Sequence, residues 1–154
     1  MRQICPSNWR WAATGLLAAA ICGVAGGLHA DISPAANVDT NTQGTWVGRY
    51  GTDGFILGDF DGTGDRISLP SYLSGYSTTA SRWRWATGSA DVRAMQDPAS
   101  TNTRNAACLY VGGTFTVTLT PSQTCSFLMG VYYLDWDAQS RSETLQVSGD
   151  GLSG

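Results

Sequence analysis

The chain has 154 residues and a net charge of −3, with nine arginines, no lysine and a single histidine. This length suits one domain with a single hydrophobic core. An acidic chain without a basic run is poorly suited to the phosphate backbone of nucleic acids, so we exclude nucleic acid as a partner.

Residues 1–30 are predicted to be a secretory signal peptide. A short polar start with two arginines precedes a long uncharged, mostly apolar run, and a small residue stands before Asp31. A run of this length also fits an uncleaved membrane anchor, which is the alternative. Cleavage predicts a secreted or periplasmic protein without membrane attachment. It also removes His29, the single histidine. The remaining chain can therefore form no Ser-His-Asp triad, no Cys-His pair and no histidine-ligated zinc site.

After cleavage, residues 31–154 carry seven arginines and twelve acids, a net charge of −5. Residues 31–43 are predicted to be a flexible leader, 44–148 a single domain and 149–154 a tail. Within the domain, branched and aromatic runs between glycine-rich turns predict strands. These are 44–50, 55–57, 66–69, 82–85, 106–111, 114–120, 127–134 and 143–147. The predicted fold class is all-β, an antiparallel sandwich or barrel that follows an N-terminal signal helix.

Three features of these runs carry a clear pattern. In Arg82–Trp85 the two tryptophans point to one face and the two arginines to the other. Gly112-Gly113 predicts a β-hairpin between the two runs that flank it. The run 127–134 is apolar on both faces, which predicts a central strand covered on both sides. It ends at Asp135-Trp136-Asp137, and because unpaired buried carboxylates are costly, this end must reach a polar surface.

Several short motifs occur in a characteristic order along the chain. They are GTWVGRYG at 44–51, LPSY at 69–72, WRWA at 83–86, DVRAMQ at 91–96, residues 104–110, and YYLDWD at 132–137. Together they resemble a jelly-roll, galactose-binding-like β-sandwich module of secreted bacterial proteins, over about residues 39–148. The resemblance implies a non-catalytic module and gives no substrate. The loop 59–65 looks like an insertion, and the chain stops where such modules continue, so we expect an incomplete sandwich with an unpaired edge strand.

The loop at Asp59, Asp61 and Asp65 places carboxylates at the spacing that hard cations prefer, with Gly64 before the last. It resembles the start of a calcium loop, although Pro70 stands where an EF-hand has its glutamate. Calcium is therefore the candidate cation. A solvated turn without a metal is the alternative interpretation.

Asp135 and Asp137 point the same way on an extended chain, about 5–10 Å apart, a separation that suits the two carboxylates of a glycosidase. Nothing around them supplies an acid with a raised pKa, so ion pairs are the favoured interpretation and no enzyme activity is predicted. The arginines available as partners are Arg82, Arg84, Arg93 and Arg141.

The aromatic side chains give the remaining signal. Trp46, Trp83 and Trp85 are expected in the core. Exposed aromatic rings stack on sugar faces, while acids and arginines bind the hydroxyl groups at the edge of a sugar ring. The candidate ligand-binding residues are Trp136, Asp135, Asp137, Tyr72 and Tyr76.

Cys108 and Cys125 remain after cleavage, and two cysteines in an oxidising compartment predict one disulfide. In a simple meander the two positions would lie about 9–10 Å apart, too far for a bridge, whereas strands on different sheets allow one. Two buried thiols are the alternative.

Two hypotheses about function follow. The first is a secreted, non-catalytic module that binds carbohydrate or another cell-surface component. The second is a structural or assembly module that packs against a partner domain or chain and has no small-molecule ligand. An enzyme is a distant third hypothesis.

Overall fold

The computed structural model describes residues 16–23, 29–35, 38–123 and 126–146, the first two ranges as backbone only. The strands in chain order are β1 (Leu16–Gly23), β2 (His29–Ala35), β3 (Phe55–Leu57), β4 (Arg66–Ser68), β5 (Leu73–Thr78), β6 (Ser81–Thr87), β7 (Met95–Asp97), β8 (Ser100–Tyr110), β9 (Val117–Pro121) and β10 (Ser126–Val131). The described ranges contain strands and no helix, and consequently no helix that could span a membrane. The prediction of an all-β chain is confirmed.

All strand pairing is antiparallel and falls into four small sheets. Their strand orders are β10-β1-β2, β3-β4, β5-β9 and β6-β8-β7. A signal helix was predicted within residues 1–30. Where that segment is described it is extended, as β1 and the start of β2, so the helix is not confirmed there. The secretory role of the leader stays a prediction.

The β6-β8-β7 sheet is covered on both faces. Neighbouring residues of a strand point to opposite faces, and Asn105 and Ala106 of β8 show what lies on each side. Asn105 donates from Nδ2 to the Phe60 carbonyl oxygen at 2.8 Å. Ala106 is fully buried in a cluster with Leu134. Phe60 and Leu134 thus pack on opposite faces of this sheet.

Two buried clusters fill these faces, and we name them the Phe60 cluster and the Leu134 cluster. The Phe60 cluster consists of Trp46, Leu57 and Phe60. The Leu134 cluster consists of Ala94, Ala106 and Leu134, with Trp85, Ala86, Tyr132 and Trp136 packed against it. The predicted core position of Trp46 is confirmed, and Trp85 packs against the core while remaining half-buried.

The first sequence motif docks on the edge of β7. Gly44 N donates to the Val92 carbonyl oxygen, and Gln96 N donates to the Gly44 carbonyl oxygen, both at 2.9 Å. A Cβ at Gly44 would lie 2.0 Å from the Ala94 carbonyl oxygen, so the close approach requires glycine. Trp46 Nε1 then donates to the Gln96 carbonyl oxygen at 3.0 Å. Two motifs that are 50 residues apart in the chain thus form one contact.

The prediction of a central strand at 127–134 is wrong. β10 ends at Val131, Leu128 is 62% exposed, and residues 132–146 lie outside the named strands. The middle strand of the sheet that is covered on both faces is β8. The apolar run divides because Leu134 is buried against β6-β8-β7, while β10 pairs with β1 in another sheet. Alternation shows that both faces of a run are apolar, but it does not show that both are covered.

The predicted hairpin at Gly112-Gly113 is also wrong. β8 pairs with β6 and β7, whereas β9, which follows the glycines, pairs with β5. The glycine pair therefore carries the chain from one sheet to another. Two further predicted strands are not formed: residues 44–50 hold one isolated bridge, between Val47 and Tyr50, and residues 143–146 contain no strand.

Candidate functional site

The segment 135–141 covers one face of the β6-β8-β7 sheet, and the Asp135 carboxylate organises it. Its oxygens accept hydrogen bonds from Gln139 N at 3.1 Å, Ser140 N at 2.9 Å and Arg141 Nη1 at 2.8 Å. Ala138 and Ser140 adopt positive φ angles of 51° and 55°, which wraps the backbone around that carboxylate. Asp135 is thus a structural residue of this loop.

Arg141 is buried beneath the same loop and joins both predicted acids. It pairs with Asp135, and its Nη1 and Nη2 donate to the two oxygens of Asp137. Its guanidinium also lies over the Trp85 ring, 5.7 Å from the centroid. The hydrogen bond from Arg141 holds the pKa of Asp137 below its usual range, against the effect of burial. The ion-pair interpretation of these acids agrees with this geometry, because a single arginine compensates both.

Trp136 lies between this ion pair and a second one. The Arg93 guanidinium stacks over its ring at 4.9 Å and pairs with Asp91 at 2.7 Å. Arg93 Nη1 also donates to the Trp136 carbonyl oxygen at 3.4 Å, and Tyr132 Oη donates to the Arg93 carbonyl oxygen at 2.8 Å. We call the part-exposed group of Asp91, Arg93, Trp136 and Asp137 the Trp136 rim.

Sequence reasoning selected Trp136 and Asp137 but placed neither Asp91 nor Arg93 at the ligand site. A signal for them existed, because both belong to the DVRAMQ motif just before β7. Their charges, two residues apart, form a local ion pair in which Arg93 N and Nε both donate to Asp91. Local pairing of this kind can be anticipated from spacing, whereas the stacking on Trp136, 43 residues away, cannot.

The two candidate tyrosines are positioned by other elements. Tyr72 stacks on Phe127 of β10 with 5.6 Å between ring centroids, and its Oη lies 3.5 Å from an Asp53 carboxylate oxygen. Tyr76 Oη donates to Asp65 at 3.0 Å. Burial, helped by this bond to the carboxylate, raises the pKa of Tyr76 to about 12. The five predicted ligand-binding residues therefore do not form one contiguous contact set through these bonds.

The loop 59–65, predicted to bind calcium, is held by arginines. Asp65 accepts bonds from Arg82 Nε and Nη2, both at 2.7 Å, from Tyr76 Oη, and from Asp59 N at 3.0 Å. Burial alone would raise the pKa of Asp65, but these donors, Arg82 foremost, hold it below its usual value.

Asp61 is likewise paired, with Arg66 at 2.5 Å. Arg66 also reaches Asp97 of β7 at 2.5 Å and stacks over Phe60 at 4.9 Å. Within the described ranges, no group of three or more His, Cys, Asp or Glu side chains is arranged to hold a metal ion. The geometry favours the interpretation of this loop as an ion-paired turn, and calcium binding stays a prediction.

The predicted arginine face of β6 is confirmed by this loop. Arg82 binds Asp65, and the Arg84 guanidinium lies against Gly62, where a Cβ would come within 1.6 Å of Nη2. Gly62 has a φ of 74°, a conformation that favours glycine, and the Arg84 guanidinium would have to shift to admit a Cβ there.

The disulfide prediction cannot be placed fully, because Cys125 lies outside the described residues. Cys108 lies on β8 opposite Trp83 of β6. Since β8, β9 and β10 belong to three different sheets, the meander that would have kept the two cysteines apart is absent from the described strands. The bridge stays a prediction.

Comparisons of the chain with models of protein families, with curated proteins and with solved structures found no match. The resemblance to a secreted bacterial sandwich module consequently depends on its motifs alone. Function has to be inferred from the geometry of the candidate residues.

Proposed function

We propose that the chain is a secreted, non-catalytic module with a jelly-roll-like β-sandwich fold, and that it binds carbohydrate or another cell-surface component at the Trp136 rim. The observation that carries the proposal is the indole of Trp136, part-exposed and held between charged side chains that are fixed in place. Arg93 stacks on it at 4.9 Å and is itself anchored to Asp91.

The chemistry of this rim suits a sugar. Arg93 lies over the indole and Trp136 packs against the Leu134 cluster, so a pyranose would place its C–H groups against the part of the ring that remains exposed. Arg93 has N–H groups beyond those that bind Asp91 and the Trp136 carbonyl oxygen, and the carboxylates of Asp91 and Asp137 keep lone pairs for further donors. Hydroxyl groups can therefore be bound beside the ring without breaking either ion pair. Because the side chains are already ordered, binding costs little conformational entropy.

Retention on insoluble polysaccharide tests the proposal. The full chain, which keeps β1 as the partner of β10, is incubated with cellulose, curdlan, galactan and chitin, and the bound fraction is measured for the parent, Trp136→Ala and Arg93→Gln. We expect at least one polymer to retain the parent and both variants to lose most of that retention.

The matched control is Val117→Ser, which changes an exposed side chain on β9 in a different sheet and should keep full retention. Far-UV circular dichroism and the urea midpoint of each variant show that it is folded, which matters because Trp136 packs against the Leu134 cluster. Retention that survives both rim variants, or no retention on any polymer, contradicts the proposal.

A second function, assembly on a partner domain or chain, is favoured by a different observation. Leu128 of β10, Val117 of β9 and Ile67 of β4 are exposed apolar side chains on strands of small sheets. Exposed apolar residues on strands are typical of surfaces that pair with other chains. Concentration-dependent oligomers in sedimentation velocity, reduced by Leu128→Ser and indifferent to polysaccharide, would support assembly instead of sugar binding.

A further inference from the structure

Each charged side chain of the Trp136 rim is matched by an opposite charge within the protein. Arg93 pairs with Asp91 at 2.7 Å, with its Nε and Nη2 both directed at that carboxylate. Asp137 pairs with Arg141, which also holds Asp135. Three acids and two arginines make up these three ion pairs, so the rim and its support carry a net charge of −1.

We infer that the rim binds neutral, hydroxyl-rich polysaccharide and discriminates against polymers that carry uronate or sulfate groups. The inference depends on the proposed function and names its ligand class. A carboxylate or sulfate on an incoming chain would have to compete with Asp91 for Arg93, and the part-exposed Asp137, which follows Trp136 in the chain, adds a further negative charge to the rim. Like charges at that distance repel. A hydroxyl group both donates and accepts, so it can bind these side chains and leave the ion pairs intact.

Arg104 is the neighbouring cation that could offset this charge, since it contacts the same 91–94 segment. Its guanidinium donates to the Ala94 carbonyl oxygen at 3.0 Å and to Thr45 Oγ1 at 3.0 Å. One bond holds the guanidinium against the 91–94 segment and the other against Thr45 of the docked 42–46 segment. Both acceptors are neutral, so Arg104 forms no ion pair with the acids of the rim through these bonds.

The test uses polymers that differ only in charge. Cellulose and curdlan are compared with the same polymers after oxidation of their primary hydroxyls to carboxylates, and alginate serves as a natural uronate polymer. Binding of the full chain is measured by depletion at low salt and again at high salt. We expect the oxidised polymer to bind roughly fivefold more weakly than its neutral parent at low salt, with a smaller difference at high salt, because salt screens charge repulsion.

Two substitutions assign the discrimination to the rim. Asp137→Asn should bring binding of the oxidised polymer closer to that of the neutral one. Asp97→Asn removes the same charge from the opposite face, where Asp97 pairs with Arg66, and should leave the ratio unchanged. Equal changes in both variants would show that overall charge discriminates, which overturns the inference.

The outcomes separate this inference from the proposed function. Strong retention on neutral polymer with weak retention on its oxidised form supports both. Retention on alginate or oxidised polymer that equals or exceeds that on the neutral parent overturns the inference and leaves carbohydrate binding standing. Absence of retention on every polymer, neutral and oxidised, overturns both.

Discussion

An arginine–aspartate cluster lies on each face of the β6-β8-β7 sheet, and the two clusters differ in which charged side chains they bury. On the Phe60 side the Asp65 side chain is 2% exposed, and its partner Arg82 is 41% exposed. On the Leu134 side the Arg141 side chain is 7% exposed, and its partner Asp137 is 40% exposed. The Phe60 side buries an anion whose cation is exposed, whereas the Leu134 side buries a cation together with one of its two anions, Asp135.

The buried member of each pair determines which surrounding groups are needed. Removing a charge from water is costly unless hydrogen bonds replace its hydration. Asp65 receives donors from Arg82, Tyr76 and the backbone of Asp59. Arg141 receives two carboxylates and the face of Trp85. A substitution is therefore costly when it leaves a buried charge without its partner, as the loss of Arg82 would leave Asp65 and the loss of Arg141 would leave Asp135. Loss of the exposed Asp137 leaves Arg141 paired with Asp135 and should cost less.

The largest expected effect is that of Arg141→Ala. This change leaves Asp135 and Asp137 close together without their shared cation and opens space beside Trp85. We expect the free energy of unfolding in urea to fall by about 3–5 kcal/mol, as for other broken buried ion pairs. Asp137→Ala is the matched control in the same cluster, and its loss should be clearly smaller because Asp137 is exposed and Arg141 keeps Asp135 as its partner. Equal losses in the two variants would refute the rule that a buried charge left without its partner is what costs stability.

Asp65→Asn should have the next largest effect. The amide keeps the shape of the carboxylate but presents an NH2 group to donors, and it leaves Arg82 without its partner. A decrease of about 2–3 kcal/mol in unfolding free energy is expected, typical of a lost hydrogen bond to a charged group. Asp137→Asn, on the exposed side of the other pair, should cost no more than about 1 kcal/mol.

The acid side of the stability profile follows from the same residues. The pKa values of Asp65 and Asp137 lie below their usual range in the folded chain. A lowered folded pKa contributes stability above the unfolded value of about 3.9, and this contribution is lost as the pH falls through the folded pKa. The parent should therefore lose stability below about pH 4. Asp65→Asn should flatten that decline in urea titrations, and a decline of unchanged slope would contradict the role of Asp65.

A smaller effect is expected from the tyrosine on each face. Tyr76 donates to the Asp65 carboxylate, whereas Tyr132 donates to the neutral Arg93 carbonyl oxygen. Bonds to charged acceptors are the stronger ones, so losing this bond in Tyr76→Phe should cost about 1.5 kcal/mol and losing that in Tyr132→Phe about 1 kcal/mol. Burial is the main reason that the pKa of each tyrosine is raised to about 12.

The dependence of unfolding free energy on pH above about 10 tests this difference independently. A pKa raised above the usual value of about 10 gives stability that is complete below that pH and is lost as the pH rises through the folded value. Each phenylalanine variant should therefore lose less stability than the parent between pH 10 and 12. If Tyr132→Phe proves the more damaging change near neutral pH, the charge of the acceptor is not what separates the two faces.

Local features of both faces could be predicted from sequence. Alternation in β6 assigned the arginines to one side, and the burial of Trp46 followed from its large apolar ring. Strand-forming composition was sufficient to recognise an all-β chain. Each of these properties depends on a residue and its immediate neighbours.

Pairing between distant segments could not be predicted in the same way. The glycines at 112–113 allow a tight turn, but β8 and β9 find partners elsewhere because cross-strand packing decides pairing. The pairing of Arg141 with Asp135 and Asp137 could not be predicted either, since several arginines were equally available to these acids. The backbone of 138–140 determines which arginine pairs with them, and neither Ala138 nor Ser140 is a residue type that signals a positive φ.

That backbone supplies the smallest predicted effect, and the only one that should increase stability. Ala138 has a φ of 51°, a conformation that glycine adopts without the steric cost of a Cβ. Ala138→Gly should raise the unfolding free energy by about 0.5–1 kcal/mol, since the relief of strain exceeds the added entropy of the unfolded chain.

Gln139→Gly is the matched control, because Gln139 is absent from the positive-φ residues of the described chain. Glycine there adds unfolded-state entropy and removes the Gln139 Nε2 bond to the Asp137 carbonyl oxygen, so it should destabilise. If both glycine variants shift the urea midpoint in the same direction, the loop is not strained at Ala138. The tight wrapping of backbone around Asp135 would then have to come from the buried Arg141 alone, which the Arg141→Ala variant measures separately.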